Sequence, residues 1–352
     1  MNNLNPYAIS FGKLPKKYIN RNYIKDTIID SLESEYENEQ AFKITGIRGT
    51  GKTVMLTAIE REMRNRENWI VIGLSSNSDL SKDLLSNLYS MVPFVAEFID
   101  ANLNLSVFGI GVNISKKSPV SSIDYALKII LKEIKKRGKK VLITIDEVRK
   151  TPDIVDFIQE FQLLIREDLP IYVIVAGLYE DIESIENADG LTFFLRANKQ
   201  EMIPLNLNNI RNDYMETIGV TKEVATEMAT ITKGYAFAYQ ALGKYMWESG
   251  SKTLNDDVLF AFDDALSEKV YKKIWQELNK KDRWFLQFIA QKDRISATEL
   301  LEITKKSHSQ WSVPRARLKE KGIINVEQRG YISMCLPRFK EFIDNQMMLG
   351  NI

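Results

Sequence analysis

The segment Gly46-Ile47-Arg48-Gly49-Thr50-Gly51-Lys52-Thr53 decides the fold, because it fits the phosphate-loop pattern G-x-x-x-x-G-K-[ST]. An apolar strand-like run at 41–45 leads into it, and a helix-like run at 53–60 leads out. The glycines let backbone N–H groups approach phosphate oxygens, and the helix that follows directs its positive N-terminal end at the same anion. Lys52 can then reach the β- and γ-phosphates of a nucleotide, and the Thr53 hydroxyl can ligate Mg²⁺. The alternative is a glycine-rich turn that matches by chance, but both flanks favour a nucleotide site.

Two acidic residues complete the predicted site. Asp146 and Glu147 directly follow the apolar strand 141–145, and ligands bind at the carboxyl ends of parallel strands. Asp146 is placed to hold Mg²⁺, usually through water, and Glu147 to orient or deprotonate an attacking water. The alternative is a pair of surface acids at a strand end. The spacing also predicts that the strand at 171–176 lies between this strand and the one that enters the phosphate loop.

The periodicity predicts an α/β fold whose parallel sheet is covered on both faces, since near-continuous apolar strands alternate with helices. The predicted strands are 41–45, 69–74, 141–145, 171–176 and one near 200–205, and the helices are 21–39, 79–99, 121–137 and 153–168. Residues 103–114 alternate apolar and polar side chains around a glycine-containing centre, which predicts an inserted hairpin. We expect three domains: an ATPase core at 1–205, a helical lid at 206–278 and a third module at 279–352.

The third module has the pattern of a winged helix-turn-helix. A helix at 282–291, a second one with the capping box Ser296–Glu299, and a third that ends before Gly322 precede a hairpin at 323–334. Pro314 requires that the third helix begin near Ser309. If the module binds DNA, this helix enters the major groove and the wing meets phosphate or the minor groove. The candidate contacts are Ser309, Gln310, Ser312, Arg315, Arg317 and, at the wing tip, Arg329.

Charge and composition limit the function further. Residues 271–352 hold 16 Lys and Arg against 9 Asp and Glu, although the net charge of the 352-residue chain is only +1. This modest local excess favours DNA, but winged helices also dock proteins. Cys335 and His308 are the only residues of their types, which excludes a disulfide framework or a Cys/His zinc site within one chain, and His308 reads as a helix-start residue. With no signal-peptide pattern and no apolar run of about 20 residues, we expect a cytoplasmic protein.

The combination of Gly46–Thr53 with Asp146-Glu147 resembles the AAA+/STAND branch of P-loop ATPases. More narrowly, it is similar to prokaryotic ATP-binding proteins related to archaeal-type ATPases and distantly to origin-recognition initiators. Three further segments are similar to the same family: Asn5-Pro6-Tyr7, Leu195-Arg196-Ala197 and Thr232 to Gln240. The resemblance therefore extends over nearly the whole chain.

The resemblance implies a Mg²⁺-dependent ATPase whose nucleotide state repositions the winged helix, acting on DNA, as a homo-oligomer or with a protein partner. It implies catalytic roles for Lys52, Glu147 and Arg196, the last as an arginine finger unless it is a structural ion-pair residue. Lys244 could sense the γ-phosphate or lie on a solvated face, and Arg48 could meet phosphate or a partner. The alternative function is a slow nucleotide-dependent switch that scaffolds proteins.

Two departures from the family bear on the rate of hydrolysis and on base contact. No Asn or Ser follows the fourth strand, where Ala176-Gly177-Leu178-Tyr179 stands, and Ala236 occupies the place of a frequent proline. The polar group that would contact the attacking water is therefore missing or displaced, and whether hydrolysis is fast stays open.

Overall fold

The computed structural model describes residues 4–10, 15–34, 39–110, 120, 122–326 and 330–350. The chain divides into two compact units. Unit one comprises Met1–Arg21, Gly46–Gly51 and Met202–Ile352, and unit two comprises Asn22–Thr45 and Lys52–Glu201. The phosphate-loop segment is therefore shared, since its first six residues belong to unit one and Lys52 and Thr53 to unit two.

Unit two is built on a five-stranded parallel sheet. Its strands are β1 (Ala41–Thr45), β2 (Trp69–Ser75), β3 (Lys140–Asp146), β4 (Ile171–Gly177) and β5 (Asn198–Glu201). The order β2-β3-β4-β1-β5 confirms the predicted α/β class. β4 pairs with both β1 and β3, so the prediction that this strand lies between the two strands that carry the site is also confirmed.

Helices cover both faces of this sheet. They are α1 (Asn22–Glu33), α2 (Lys52–Arg64), α3 (Leu80–Met91), α4 (Pro93–Asn102), α5 (Ile123–Lys136), α6 (Pro152–Arg166) and α7 (Tyr179–Glu186). Val141, Ile143 and Ile145 of β3 join a core built with α3 to α7. On the opposite face, the Thr144 hydroxyl donates to Glu60 of α2 at 2.5 Å.

Two local predictions in unit two differ from the structure. The predicted helix 79–99 is broken at Val92, because the following Pro93 disfavours helical backbone at the residue before it. The first arm of the predicted hairpin 103–114 is wrong: residues 106–108 form a 3-10 helix. The Asn104 side chain accepts from the Ser106 amide at 3.2 Å and hydroxyl at 2.7 Å, a local bond that competes with a strand. Residues 111–114 lie outside the described residues.

Unit one is helical, with one small antiparallel sheet. Its first part contains α8 (Leu207–Ile218), α9 (Lys222–Thr232), α10 (Ala236–Ser249), α11 (Asp256–Leu266), the π-helix Ser267–Tyr271 and α12 (Lys272–Glu277). Its second part contains α13 (Lys280–Ile289), β6 (Arg294–Ile295), α14 (Ala297–Thr304), α15 (His308–Glu320), β7 (Ile324–Val326), β8 (Ile332–Met334) and α16 (Phe339–Met348), with sheet order β6-β8-β7. Ser307 caps α15, so this helix begins one residue before the predicted Ser309 region and Pro314 lies in its second turn.

The two parts of unit one share a single hydrophobic core. The Tyr271 ring lies 4.8 Å from that of Phe339 and 5.7 Å from that of Phe342. Lys233, which ends α9, donates to the Met334 carbonyl at 2.9 Å. The predicted boundary between residues 278 and 279 therefore falls inside one compact unit.

The segment 4–21 is fastened to the helices of unit one. The Gln240 side chain accepts from the Ala8 amide at 2.9 Å and donates to the Lys17 carbonyl at 2.7 Å. The Tyr7 hydroxyl donates to Asp213 at 2.7 Å, and burial raises the pKa of Tyr7. Across the described ranges, no helix is long and apolar enough to cross a membrane.

Candidate functional site

The backbone of the phosphate loop takes conformations that require glycine. Gly49 has φ +80° and Gly51 has φ +92°, in the left-handed region that side chains rarely adopt. The Thr50 hydroxyl donates to the Ile47 carbonyl at 2.8 Å and closes the turn from within. The loop follows β1 directly, and α2 begins at Lys52, so the helix N-terminus lies at the end of the loop as the motif predicts.

Within unit one, the loop is held by the segment that opens α10. The Tyr235 hydroxyl donates to the Arg48 carbonyl, and the Phe237 amide donates to the Gly49 carbonyl at 3.1 Å. A Cβ on Gly49 would stand 2.1 Å from the Tyr235 hydroxyl oxygen. Tyr235 is buried, and desolvation raises its pKa, so the hydroxyl stays a donor at all ordinary pH values. No role in the site was predicted for Tyr235 beyond its place in the segment from Thr232 to Gln240 that resembles the family.

The Arg48 side chain contacts an acidic residue of its own chain. Its guanidinium lies 3.3 Å from the Glu277 carboxylate, at the end of α12. The sequence left open whether Arg48 meets phosphate or a partner. The structure joins the phosphate loop to the last helix of the predicted lid, across 229 residues of sequence.

Within unit two, the two predicted metal ligands are in contact. The Thr53 hydroxyl donates to Asp146 Oδ2 at 2.5 Å, and Asp146 Oδ1 accepts from the Glu147 amide at 2.9 Å. A hydroxyl and a carboxylate are the hard oxygen donors that Mg²⁺ takes, usually one or two from protein with phosphate and water as the rest. Among the described residues no group of three or more His, Cys, Asp or Glu could hold a metal, so a fuller protein cage is not formed there. The residues fit Mg²⁺ bound together with a nucleotide.

Glu147 stands at a strained turn after β3. It is exposed and has φ +52°, an unusual conformation for a residue with a side chain that costs about 1 kcal/mol. The Asp146 side chain bonds its amide, and the Val148 amide donates to the Ala176 carbonyl of β4 at 3.0 Å. Strain of this kind is typical of functional sites, where the surrounding structure imposes it.

The residues directly after β4 are Leu178 and Tyr179, and neither is the Asn or Ser that the family resemblance led us to expect. Tyr179 begins α7, and its hydroxyl donates to Glu201 at 2.5 Å. The phenol is thus engaged with β5 by a contact within unit two. No feature of the sequence pattern indicated this bond.

Arg196 and Lys244, the suggested arginine finger and γ-phosphate sensor, have different surroundings. Arg196 is exposed at the end of the 3-10 helix Thr192–Arg196 in unit two. Lys244 pairs with Glu248 at 2.8 Å, one turn along α10, and its ammonium lies over the Tyr245 ring. The Lys244 contacts are those of a solvated helix face.

The residues suggested for DNA contact lie along α15, and most have partners inside the module. Arg317 makes two bonds of 2.8 and 2.5 Å to the carboxylate of Asp282, which is 1% exposed. Gln310 caps the helix by accepting from the Ser307 amide, and the Ser312 hydroxyl donates to the Ser309 carbonyl. Ser309 and Gln310 are exposed, whereas Ser312, Arg315 and Arg317 are partly exposed, and Arg329 lies outside the described residues.

Comparisons with known proteins agree with this architecture. A family model described as the KAP family P-loop domain matches residues 20–160, and one described as a domain of unknown function (DUF8462) matches residues 268–343. No curated protein sequence matches the chain.

Two solved structures with a similar fold are archaeal proteins. The Walker-type ATPase PABY2304 of Pyrococcus abyssi is 14% identical, with 96% of this chain and 99% of that chain covered and a TM-score of 0.65. The ORC2 protein of Aeropyrum pernix, determined as ADPNP–ADP complexes, is 13% identical, with 97% of each chain covered and a TM-score of 0.58. The chain therefore has the fold of a P-loop nucleoside triphosphatase.

Proposed function

We propose that the protein binds Mg–ATP at Gly46–Thr53 and hydrolyses it. The observation that carries the proposal is the 2.5 Å bond between Thr53 and Asp146, where Thr53 directly follows a segment in the chain whose Gly49 and Gly51 need positive φ. If the loop sequence were a turn that matches the pattern by chance, no contact between Thr53 and an acidic residue at the end of β3 would be expected. The ADPNP–ADP complexes of the Aeropyrum pernix relative support the choice of an adenine nucleotide.

Each residue type in the site has a chemical task. The loop amides and the N-terminus of α2 hold the phosphates, and Lys52 adds a positive charge at the β- and γ-phosphates. Thr53 and Asp146 hold Mg²⁺, which offsets the charge that develops on the phosphate oxygens. Glu147 orients an attacking water and accepts its proton. Arg196 acts as an arginine finger towards the nucleotide of a neighbouring subunit, in a homo-oligomer.

The contacts of unit one suggest how the nucleotide state is transmitted. The carbonyls of Arg48 and Gly49 are bonded to residues 235 and 237, and the nearby Lys233 is bonded to β8 through the Met334 carbonyl. A loop that changes shape with the nucleotide would pull on the turn between α9 and α10. Because residues 206–278 and 279–350 share a core, we propose that lid and C-terminal module move together.

ATP turnover tests the enzymatic proposal. We would measure phosphate release by the native protein, Lys52→Ala and Glu147→Gln, each with and without duplex DNA. We expect the native protein to hydrolyse ATP and the turnover rate of both variants to be at least about 100-fold lower. Of the two variants, only Glu147→Gln should still bind ATP. Native turnover that both variants retain would mean that a different site, or a contaminant, hydrolyses the ATP.

A second candidate is a slow switch that binds ATP and scaffolds protein partners. It is favoured by the apolar residues after β4 and by the bond that engages Tyr179 with Glu201. In the same assay, this function predicts tight ATP binding by the native protein without turnover and without an effect of DNA.

We propose DNA as the partner of the C-terminal module. α13, α14 and α15 with the sheet β6-β8-β7 have the element order of a winged helix, and α15 would be its recognition helix. The local net charge of +7 supports a polyanion. The Arg317 guanidinium is hydrogen-bonded to the Asp282 carboxylate, so Arg315 is the better candidate for a phosphate or base contact.

A salt series of gel shifts tests the DNA proposal. Arg315→Ala should weaken duplex binding and lower the slope of log K against log salt by about 0.9, the value for one lost phosphate contact. Lys340→Ala, an exposed basic residue on α16, is the matched control and should bind like the native protein. Equal binding by the native protein and Arg315→Ala would remove α15 from the interface, and no binding at all would favour the protein-scaffold function. The cytoplasmic location stays a prediction from the sequence.

A further inference from the structure

A lysine lies buried in the middle of β1, the strand that leads into the phosphate loop. The side chain of Lys43 is 1% exposed, and its neighbours Phe42 and Ile44 are fully buried. Its ammonium donates to Glu186 at 2.7 Å, to the Phe194 carbonyl at 2.7 Å and to the Leu195 carbonyl at 3.3 Å. All three N–H groups of the ammonium therefore have an acceptor.

This arrangement is not explained by stability alone. The cost of taking two charges out of water is often as large as the attraction between them, and apolar side chains of similar size often stabilise a fold as well or better. Burial lowers the pKa of Lys43, and the hydrogen bond that its ammonium donates to Glu186 opposes that shift. A buried position between Phe42 and Ile44 would ordinarily hold an apolar residue. The groups that accept hydrogen bonds from the ammonium therefore indicate the role of the charge at this position.

Two of the three acceptors belong to the turn that carries Arg196. Phe194 is fully buried, whereas Leu195 is 52% exposed and Arg196 is exposed. The Ala197 amide donates to the Phe194 carbonyl at 3.1 Å, and the chain then enters β5, where Asn198 pairs with Phe42. The turn thus has a fixed base and a protruding tip, and Lys43 holds the base.

We propose that Lys43 is a positioning residue that fixes the Arg196 turn to the strand of the phosphate loop, with Glu186 holding the ammonium in place. The proposal rests on the proposed function, because it takes Arg196 as the group that reaches a neighbouring subunit's nucleotide. A guanidinium that stabilises a transition state must be placed within about 1 Å, since larger errors cost about 100-fold in rate. Three bonds to one buried cation supply that precision, because they remove the freedom of the two residues before Arg196.

A paired substitution separates positioning from folding. Lys43→Met alone leaves Glu186 buried without its partner and can unfold the protein, so the test variant is Lys43→Met with Glu186→Leu, which removes both charges at similar volume. We expect its melting temperature to stay within a few degrees of native. We expect kcat for ATP to fall about 100-fold with KM unchanged, as in Arg196→Ala. Adding Arg196→Ala to the paired variant should cause no further loss.

A lysine on another strand of the same sheet serves as the control. Lys140 of β3 has its ammonium over the rings of Trp69 and Tyr172, away from the 192–196 turn. Lys140→Met should leave kcat at the native value. A paired variant that folds and keeps native kcat would overturn the proposal, and so would an additive loss when Arg196→Ala is included.

Trypsin supplies a readout that does not depend on turnover. Cleavage after Arg196 should be about tenfold faster in the paired variant than in the native protein, because the turn has lost its hydrogen bonds. Cleavage after Arg137, at the exposed end of α5, should be unchanged. If the native protein binds ATP without turnover, the enzymatic function fails, but faster cleavage after Arg196 still supports the anchoring and unchanged cleavage overturns it.

Discussion

The phosphate loop and helix α15 were both predicted from sequence as binding elements, yet their residues have different surroundings. Thr53, the last residue of the loop motif, contacts the other predicted metal ligand, Asp146 of β3, at 2.5 Å. On α15, Arg317 is bonded to the buried Asp282, and Gln310 and Ser312 bond to backbone groups of their own helix. One region brings its predicted residues together, and the other engages several of them internally.

The difference lies in what each motif specifies. A phosphate loop is defined by backbone geometry, and positive φ at Gly49 and Gly51 leaves few other residues able to stand there. A recognition helix is defined by side chains on a regular helix, where an arginine can bind DNA or a carboxylate equally well. The sequence therefore identifies both the phosphate loop and the residues that form it. For the recognition helix, it identifies the helix but not which of its side chains bind a partner.

The largest expected effect concerns Arg317. Arg317→Ala leaves the Asp282 carboxylate buried without its partner, which should lower the free energy of unfolding by about 3 kcal/mol in urea titrations. Arg315→Ala is the control on the same helix and should change stability by less than about 0.5 kcal/mol. If Arg317→Ala is as stable as native and loses DNA binding, the contrast between loop and helix disappears.

A smaller effect is expected at the loop. Gly49→Ala meets both a left-handed φ and the Tyr235 hydroxyl, whereas Gly138 has φ +66° and open space around it. We expect Gly49→Ala to lower the free energy of unfolding by about 2 kcal/mol more than Gly138→Ala, and to weaken ATP binding. Equal stability losses for both variants in thermal melts would show that the contact with Tyr235 is not needed.

The smallest effect concerns a carboxyl group on α6, which belongs to neither region. Burial and the neighbouring Asp124 raise the pKa of Glu160 to about 7, although the Ser81 hydroxyl that donates to it works in the opposite direction. The folded state therefore keeps this proton to a higher pH than the unfolded chain, so its contribution to stability is lost as the pH rises from about 4.5 to about 7. Glu160→Gln should flatten this decline by about 1 kcal/mol in urea titrations at pH 5 and 7.5.

The control for Glu160 is an exposed acid at the end of the same helix. Hydrogen bonding from Lys128 lowers the pKa of Glu167, so Glu167→Gln should not flatten the decline. A native protein whose stability does not decline between these pH values would contradict the assignment to Glu160.

Much of the fold followed from the sequence because it rests on local patterns. The place of β4 between β1 and β3 was implied by the spacing of Lys52, Asp146 and the strand at 171–176, and the structure confirms it. The predicted hairpin failed because alternation of apolar residues does not show that Asn104 bonds to Ser106. The break at Val92 could have been read from Pro93 alone.

The side-chain partners in the candidate site could not have been found in this way. Arg48 meets Glu277 across 229 residues, and Lys43 meets Glu186 across 143. Such pairs depend on how distant elements pack, and no spacing rule connects them. Tyr235 is the exception. It follows Gly234 in the segment from Thr232 to Gln240 that resembles the family, and this resemblance was a signal that the segment approaches the nucleotide loop.

Equilibrium binding of Mg–ATP shows whether Gly46–Thr53 binds the phosphates of ATP. The measurement compares the native protein, Lys52→Ala and Lys244→Ala by calorimetric titration. We expect the native protein to bind Mg–ATP, and Lys52→Ala to bind it at least about tenfold more weakly because a charge-assisted contact is lost. Lys244→Ala should bind like the native protein, because the Lys244 ammonium is paired with Glu248. Absence of binding by the native protein, or equal affinity in Lys52→Ala, would contradict ATP binding at this loop.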